Sequence, residues 1–149
     1  NPPTICWTEA GSGEIADGPA DDGISDWRDG TSYINAMEET INSNAINLYS
    51  TVDREWLISP EYDISTGGPY RLVVEVALTD YADTNSDVMG DDDEVKLLMT
   101  NDGGTTIIEV TTWNFDNQPS VNGTEFILDL DTYTGVVQFS FWASDGNLY

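Results

Sequence analysis

Apolar and polar positions alternate along this chain in short runs, each closed by a cluster of turn-forming residues. Residues 71–80 put Leu72, Val74, Val76 and Leu78 on one face and Val73, Glu75, Ala77 and Thr79 on the other. Residues 94–100 align Val95, Leu97 and Met99, and residues 105–113 set Ile107 and Glu109 against Ile108 and Val110. Phe126, Leu128 and Leu130 oppose Ile127 and Asp129, while Val137, Phe139 and Phe141 oppose Gln138, Ser140 and Trp142. Residues 45–51 (Ile46, Leu48, Ser50) and 55–60 (Trp56, Ile58, then Pro60) repeat the pattern. A period of two marks strands with one buried face. Turn clusters at 65–69, 89–93, 101–104, 116–123 and 133–135 separate the runs. Seven or more short strands with such punctuation predict a β-sandwich or barrel. The eight residues expected to be mostly buried are Leu72, Val74, Val76, Leu97, Phe126, Leu128, Phe139 and Phe141.

Two stretches lack this alternation. Residues 1–35, rich in Gly, Pro, Asp and Ser, read as a long ordered loop with short strands, pinned by Trp7 and Trp27. Residues 34–43 are the one helix-like piece and are expected to form a loop or a single turn.

Composition narrows the function classes. The 149 residues fit a single domain, 1–149. Acids outnumber bases 28 to 4, a net charge of −24. Such a chain does not hold nucleic-acid phosphates, which need clustered Lys and Arg. It does not dock by charge on an anionic membrane either, and no run approaches the ~20 apolar residues of a membrane span. With no His, His-dependent triads and His-ligated metal sites are excluded. The single Cys6 has no internal disulfide partner and reads as a small buried hydrophobe. Acidity here does not mean disorder, because five Trp, seven Tyr and four Phe are regularly placed. The chain begins at Asn1 without Met and reads as a piece of a larger protein.

The candidate chemistry lies in the acidic loops. Residues 80–94 carry Asp80, Asp83, Asp87, Asp91, Asp92, Asp93 and Glu94. Crowded carboxylates raise one another's pKa unless a cation neutralises them. Calcium takes six to eight oxygens and suits such a loop, although the spacing is not that of an EF-hand. The alternative is a solvated acidic loop. A second cluster, Asp17, Asp21, Asp22, Asp26 and Asp29, lies among Gly and Pro, where Asp-Gly is also ordinary turn chemistry. The expected metal ligands are Asp21, Asp22, Asp80, Asp91, Asp92 and Asp93. Any two carboxylates could compose a glycosidase dyad, but among 28 acids a pair carries no information. Tyr33, Tyr49, Tyr62, Tyr81, Trp113, Tyr133 and Trp142 could line a sugar-stacking platform, but Trp113 and Trp142 sit between apolar neighbours and read as packing residues. Asn122-Gly-Thr124 matches a short glycosylation acceptor pattern.

Taken together, the segments CWTEAGSG (6–13), WLISP (56–60), MTNDGGTTIIEV (99–110), LDLDTYTG (128–135) and VQFSFWASDG (137–146) carry a family resemblance. In order and spacing the chain resembles the MAM-like jelly-roll domains of secreted Bacteroidetes proteins, of choice-of-anchor J or cleaved-adhesin type. Ile107 stands where the family's hairpin usually has Trp. The resemblance implies an all-β, antiparallel two-sheet β-sandwich of jelly-roll, galactose-binding-like form. It implies a non-catalytic extracellular adhesion or recognition module, secreted or at the cell surface, with export by the type IX route. It also implies structural calcium. The expected partners are a glycan or a cell-surface protein, with no nucleic acid and no membrane insertion. The alternative is a structural repeat of a surface fibre, or an accessory domain of a secreted hydrolase, with no ligand of its own. Family members continue past the equivalent of residues 143–146 into a last strand, so a strand-donating segment or a neighbouring chain is a further expected partner. Its groove is expected beside Cys6–Glu9 or beside Val137–Ala143.

Overall fold

A computed structural model describes residues 7–49 and 54–146. Among them are eleven strands and no helix: β1 (Thr8–Ser12), β2 (Ala20–Asp22), β3 (Arg28–Ile34), β4 (Thr40–Ala45), β5 (Glu55–Ile58), β6 (Tyr62–Asp63), β7 (Arg71–Val76), β8 (Glu94–Thr100), β9 (Ile108–Asn114), β10 (Thr124–Asp129) and β11 (Val136–Ser144). All pairings are antiparallel. The molecule is an all-β sandwich. One layer is a continuous sheet in the order β2-β1-β5-β11-β8-β9, with β6 also paired to β11. The opposing layer consists of two separate ribbons, β7–β10 and the hairpin β3–β4.

The two faces of the large sheet bury different residues, as the period of two requires. Its inner face contributes Leu97, Met99, Trp113, Val137 and Phe139, and Leu72, Val74, Val76, Phe126 and Leu128 pack down on them from β7 and β10. Leu97 and Phe139 are fully buried; the other six residues expected in the core are half-buried but lie in or against this cluster. The ribbon above is two strands wide, too narrow to seal the inner face. The outer face carries Ala10, Trp56, Leu98 and Trp142, with Ile15, Ile58 and Ile107 packed against them. The Gly13 carbonyl accepts both indole N–H groups, from Trp56 at 3.0 Å and from Trp142 at 3.3 Å. Gly13 has φ 114°, and a Cβ there would lie 2.1 Å from the Gly18 carbonyl oxygen, so this turn requires glycine.

Two local expectations are corrected. Residues 34–43 are a turn over 35–39 only: Ile34 ends β3 and residues 40–43 belong to β4, so the segment closes the β3–β4 hairpin. Asn35 turns the chain, its buried Oδ1 accepting the N–H groups of Met37 and Glu39, each at 2.9 Å. The run at 45–51 is not a strand over its described part, since β4 stops at Ala45. Ile46 and Leu48 still pack on the core, which is why their spacing mimicked a strand. In β9, Val110 is an extra residue facing the Leu97–Leu98 step, a bulge that lets Ile108 and Trp113, five positions apart, both face the inner cluster.

Candidate functional site

The split in the second layer opens a cleft of about 1090 Å³. Its floor is the inner face of the large sheet, at Leu57, Leu97, Phe139 and Phe141. One wall is β7. The other is the β3–β4 hairpin with the segment that follows it, and Trp7 and Trp27 also line the cleft. Trp27 is buried, and its indole donates to the Glu55 carbonyl at 3.4 Å. The rings of Trp7, Trp27 and Trp113 each lie 6.1–6.4 Å from the Phe141 ring. Aromatic pairs at this separation add about 0.5–1.5 kcal/mol each beyond their buried area.

The hairpin is fixed to the ribbon by two contacts. The buried Tyr33 hydroxyl donates to Glu75 Oε1, and Asn122 Nδ2 donates to the Ile34 carbonyl at 2.9 Å. Burial first, and the Glu75 carboxylate second, push the Tyr33 hydroxyl up to about 12, so it stays a donor at every physiological pH. Gly123 makes room for Glu75: a Cβ there would lie 2.4 Å from its Oε1. Asn122, the first residue of the short glycosylation-acceptor pattern, is thus bound to protein in the described conformation.

The cleft lining is acidic. Glu75, Asp80, Asp83, Asp87 and Asp93 belong to it, against a single basic residue, Arg28. The loop that carries the aspartates is folded on its own carboxylates. Asp80 Oδ1 accepts the Tyr81 N–H, Asp83 Oδ1 those of Thr84 and Asn85, and Asp87 Oδ1 that of Val88. Met89 pins the loop into the core, its N–H donating to Gln118 Oε1 at 3.0 Å.

Of the expected metal ligands, Asp21 and Asp22 lie exposed on β2 at the edge of the large sheet, with Asp21 accepting from Ser12 Oγ. Asp80 and Asp93 both line the cleft; Asp91 is exposed beside them in sequence. Asp93 meets Asp145, just past the end of β11, and also feels the charge of Asp92. Asp93 is buried, and its carboxyl is raised to about 6, by loss of solvent first and then by the hydrogen bond and charge of Asp145 and the charge of Asp92. The Gly90 N–H, at 2.7 Å, opposes that rise. The six residues do not converge, and among the described residues no group of three or more carboxylates is placed to hold one ion.

The aromatic residues do not form one platform either. Trp113 belongs to the inner cluster and Trp142 to the outer, Tyr33 is buried, and Tyr49 and Tyr81 are exposed. The groove was expected beside Cys6–Glu9 or Val137–Ala143. Instead β11 is paired on both sides, by β5 and β8, and β1 is paired by β2 and β5; Cys6 lies outside the described residues. Among the described strands, β7 is one of those with an unpaired edge, and it also lines the cleft. Sequence reading missed the hairpin wall because its strands, TSYI and TINSNA, mix polar and apolar residues without strict alternation. No family model, curated protein or solved structure matches this chain.

Proposed function

We propose that this domain is a non-catalytic recognition module, secreted or held at the cell surface, that binds a protein or glycan partner in the cleft between β7 and the β3–β4 hairpin. The observation that carries this reading is the cleft itself: a preformed concave apolar floor with polar groups at its rim, the usual form of a binding site. The jelly-roll connectivity, the type IX export route and the structural calcium rest on the family resemblance alone. The test is a glycan array together with a peptide library, probed with the 149-residue protein and with a Phe141→Ala variant whose folding is checked by far-UV circular dichroism. A defined hit that weakens in the variant supports the reading. An empty array and an empty library refute it in favour of a structural or accessory domain without a ligand.

A further inference from the structure

The backbone of β7 narrows the class of ligand. The Leu130 N–H bonds the Tyr70 carbonyl at 2.9 Å, which fixes the alternation along the β7–β10 ladder. In an antiparallel pair, residues two apart turn their N–H and C=O groups the same way. Leu72, Val74 and Val76 therefore face β10, while Val73 and Glu75 present theirs to the opposite edge. No described strand pairs with that edge.

The cleft follows this edge. Every residue from Leu72 to Val76 in β7 lines it, Val73 and Glu75 of the unpaired edge among them. An unpaired strand edge beside an apolar trough is the arrangement to which extended peptides add as an extra strand, main chain providing affinity and alternate side chains specificity.

We infer that the occupant is an extended, cationic peptide segment of another protein, which adds to the free edge of β7 and drops alternate apolar side chains onto Leu57, Leu97 and Phe141. This rests on the recognition reading above. The charge of the lining selects the partner. Five carboxylates against one Arg favour Lys or Arg on the outward positions of the peptide. The same charge disfavours a second copy of this chain, which would bring another net −24 to the cleft. A span of about six residues, at ~3.3 Å each, covers the edge.

The probe is a soluble synthetic peptide alternating Val with Lys or Thr, offered to the 149-residue protein. Its twin carries N-methyl groups on alternate residues, which removes main-chain donors without touching the protein. The unmodified peptide binds, and the methylated one is weaker by about tenfold or more. Saturation slows amide exchange at Val73 and Glu75, with little change at Leu72 and Val74, which already face β10. Replacing Asp80, Asp83 and Asp87 together with Asn weakens binding and flattens its salt dependence, while the Asn oxygens still accept the loop N–H groups. Equal binding of both peptides, or unchanged exchange at Val73 and Glu75 on saturation, overturns strand addition and leaves the recognition reading intact. Protection of Val73 and Glu75 in the free monomer overturns it too, by showing a segment of the same chain in place. Protection that appears only with dimerisation assigns the edge to a second copy and likewise overturns it. Failure of the peptide to bind, with a defined glycan hit, overturns the peptide and keeps the cleft; failure of every probe removes both.

Discussion

Asp93→Asn is predicted to stabilise this protein at neutral pH and to lose that benefit in acid. Asp93 is buried beside Asp92 and Asp145, and its carboxyl rises from the ordinary 3.8 to about 6, burial being the largest cause. A group that holds its proton more tightly when folded makes the native state bind more protons than the unfolded chain between those two values. Stability therefore falls as pH climbs from about 4 to about 6, and the full penalty stands above that window. Two units correspond to about 3 kcal/mol. Partial solvent access to the carboxyl screens this, leaving about 1–2 kcal/mol. The amide removes the charge while its oxygen still accepts the Gly90 N–H now bound at 2.7 Å. The expected gain at pH 7 is a Tm higher by about 3–6 °C, since 1 kcal/mol moves a domain of this size by about 3 °C. The assay is thermal unfolding at pH 4, 5, 6 and 7 with chelator present, alongside Asp131→Asn, which removes the same charge from an exposed turn. Equal gains in both variants, or a gain for Asp93→Asn that does not shrink below pH 5, refute the reasoning.

Leu97→Ala, at a side chain with no solvent exposure between the two layers, is expected to cost about 2–5 kcal/mol, read as a lower guanidinium midpoint at unchanged slope. Tyr33→Phe removes the hydroxyl that holds the hairpin to Glu75 and is expected to cost about 1 kcal/mol, with faster amide exchange confined to β3 and β4; uniform acceleration across the large sheet would contradict that placement. Structural calcium, implied by the family resemblance, predicts a Tm that rises from excess chelator to millimolar calcium, by about 2.7 kcal/mol of stability at a hundred times Kd; an unchanged Tm removes the ion.

The β7–β10 ribbon was legible because its strands alternate and bury one face. β8 and β11 were legible from the alternating residues of the inner face, Leu97 and Met99 or Val137 and Phe139, although both also bury a residue on the outer face, Leu98 and Trp142. The hairpin was illegible because its stability comes from a side-chain turn at Asn35 and from the remote Tyr33–Glu75 and Asn122–Ile34 contacts, none of which leaves a periodic trace. The acidic loop was legible as an acidic loop. Its carboxylates were expected to gather round an ion; Asp80, Asp83 and Asp87 instead accept N–H groups one or two residues ahead, as Asp83 does for Thr84 and Asn85. The cleft could not be read from sequence because it is a gap between ribbons, set by which strands fail to meet.

An open strand edge beside exposed apolar side chains is an invitation to aggregate, and this one is flanked by Val73 and Ile127, each 45–47% exposed and directly paired across β7 and β10. Proteins usually blunt such an edge with a proline, a bulge or an inward charge. Over Arg71–Val76 the described strand has neither proline nor bulge, and its only acid is Glu75, which Tyr33 engages. What remains is the field of the whole molecule. At a net charge of −24, two copies approaching edge to edge repel over about a Debye length before any ladder can form, whereas a cationic segment is drawn in. The acidity that excluded nucleic acids and anionic membranes at the level of composition thus acts, at the level of the site, as a filter on who can complete the second layer.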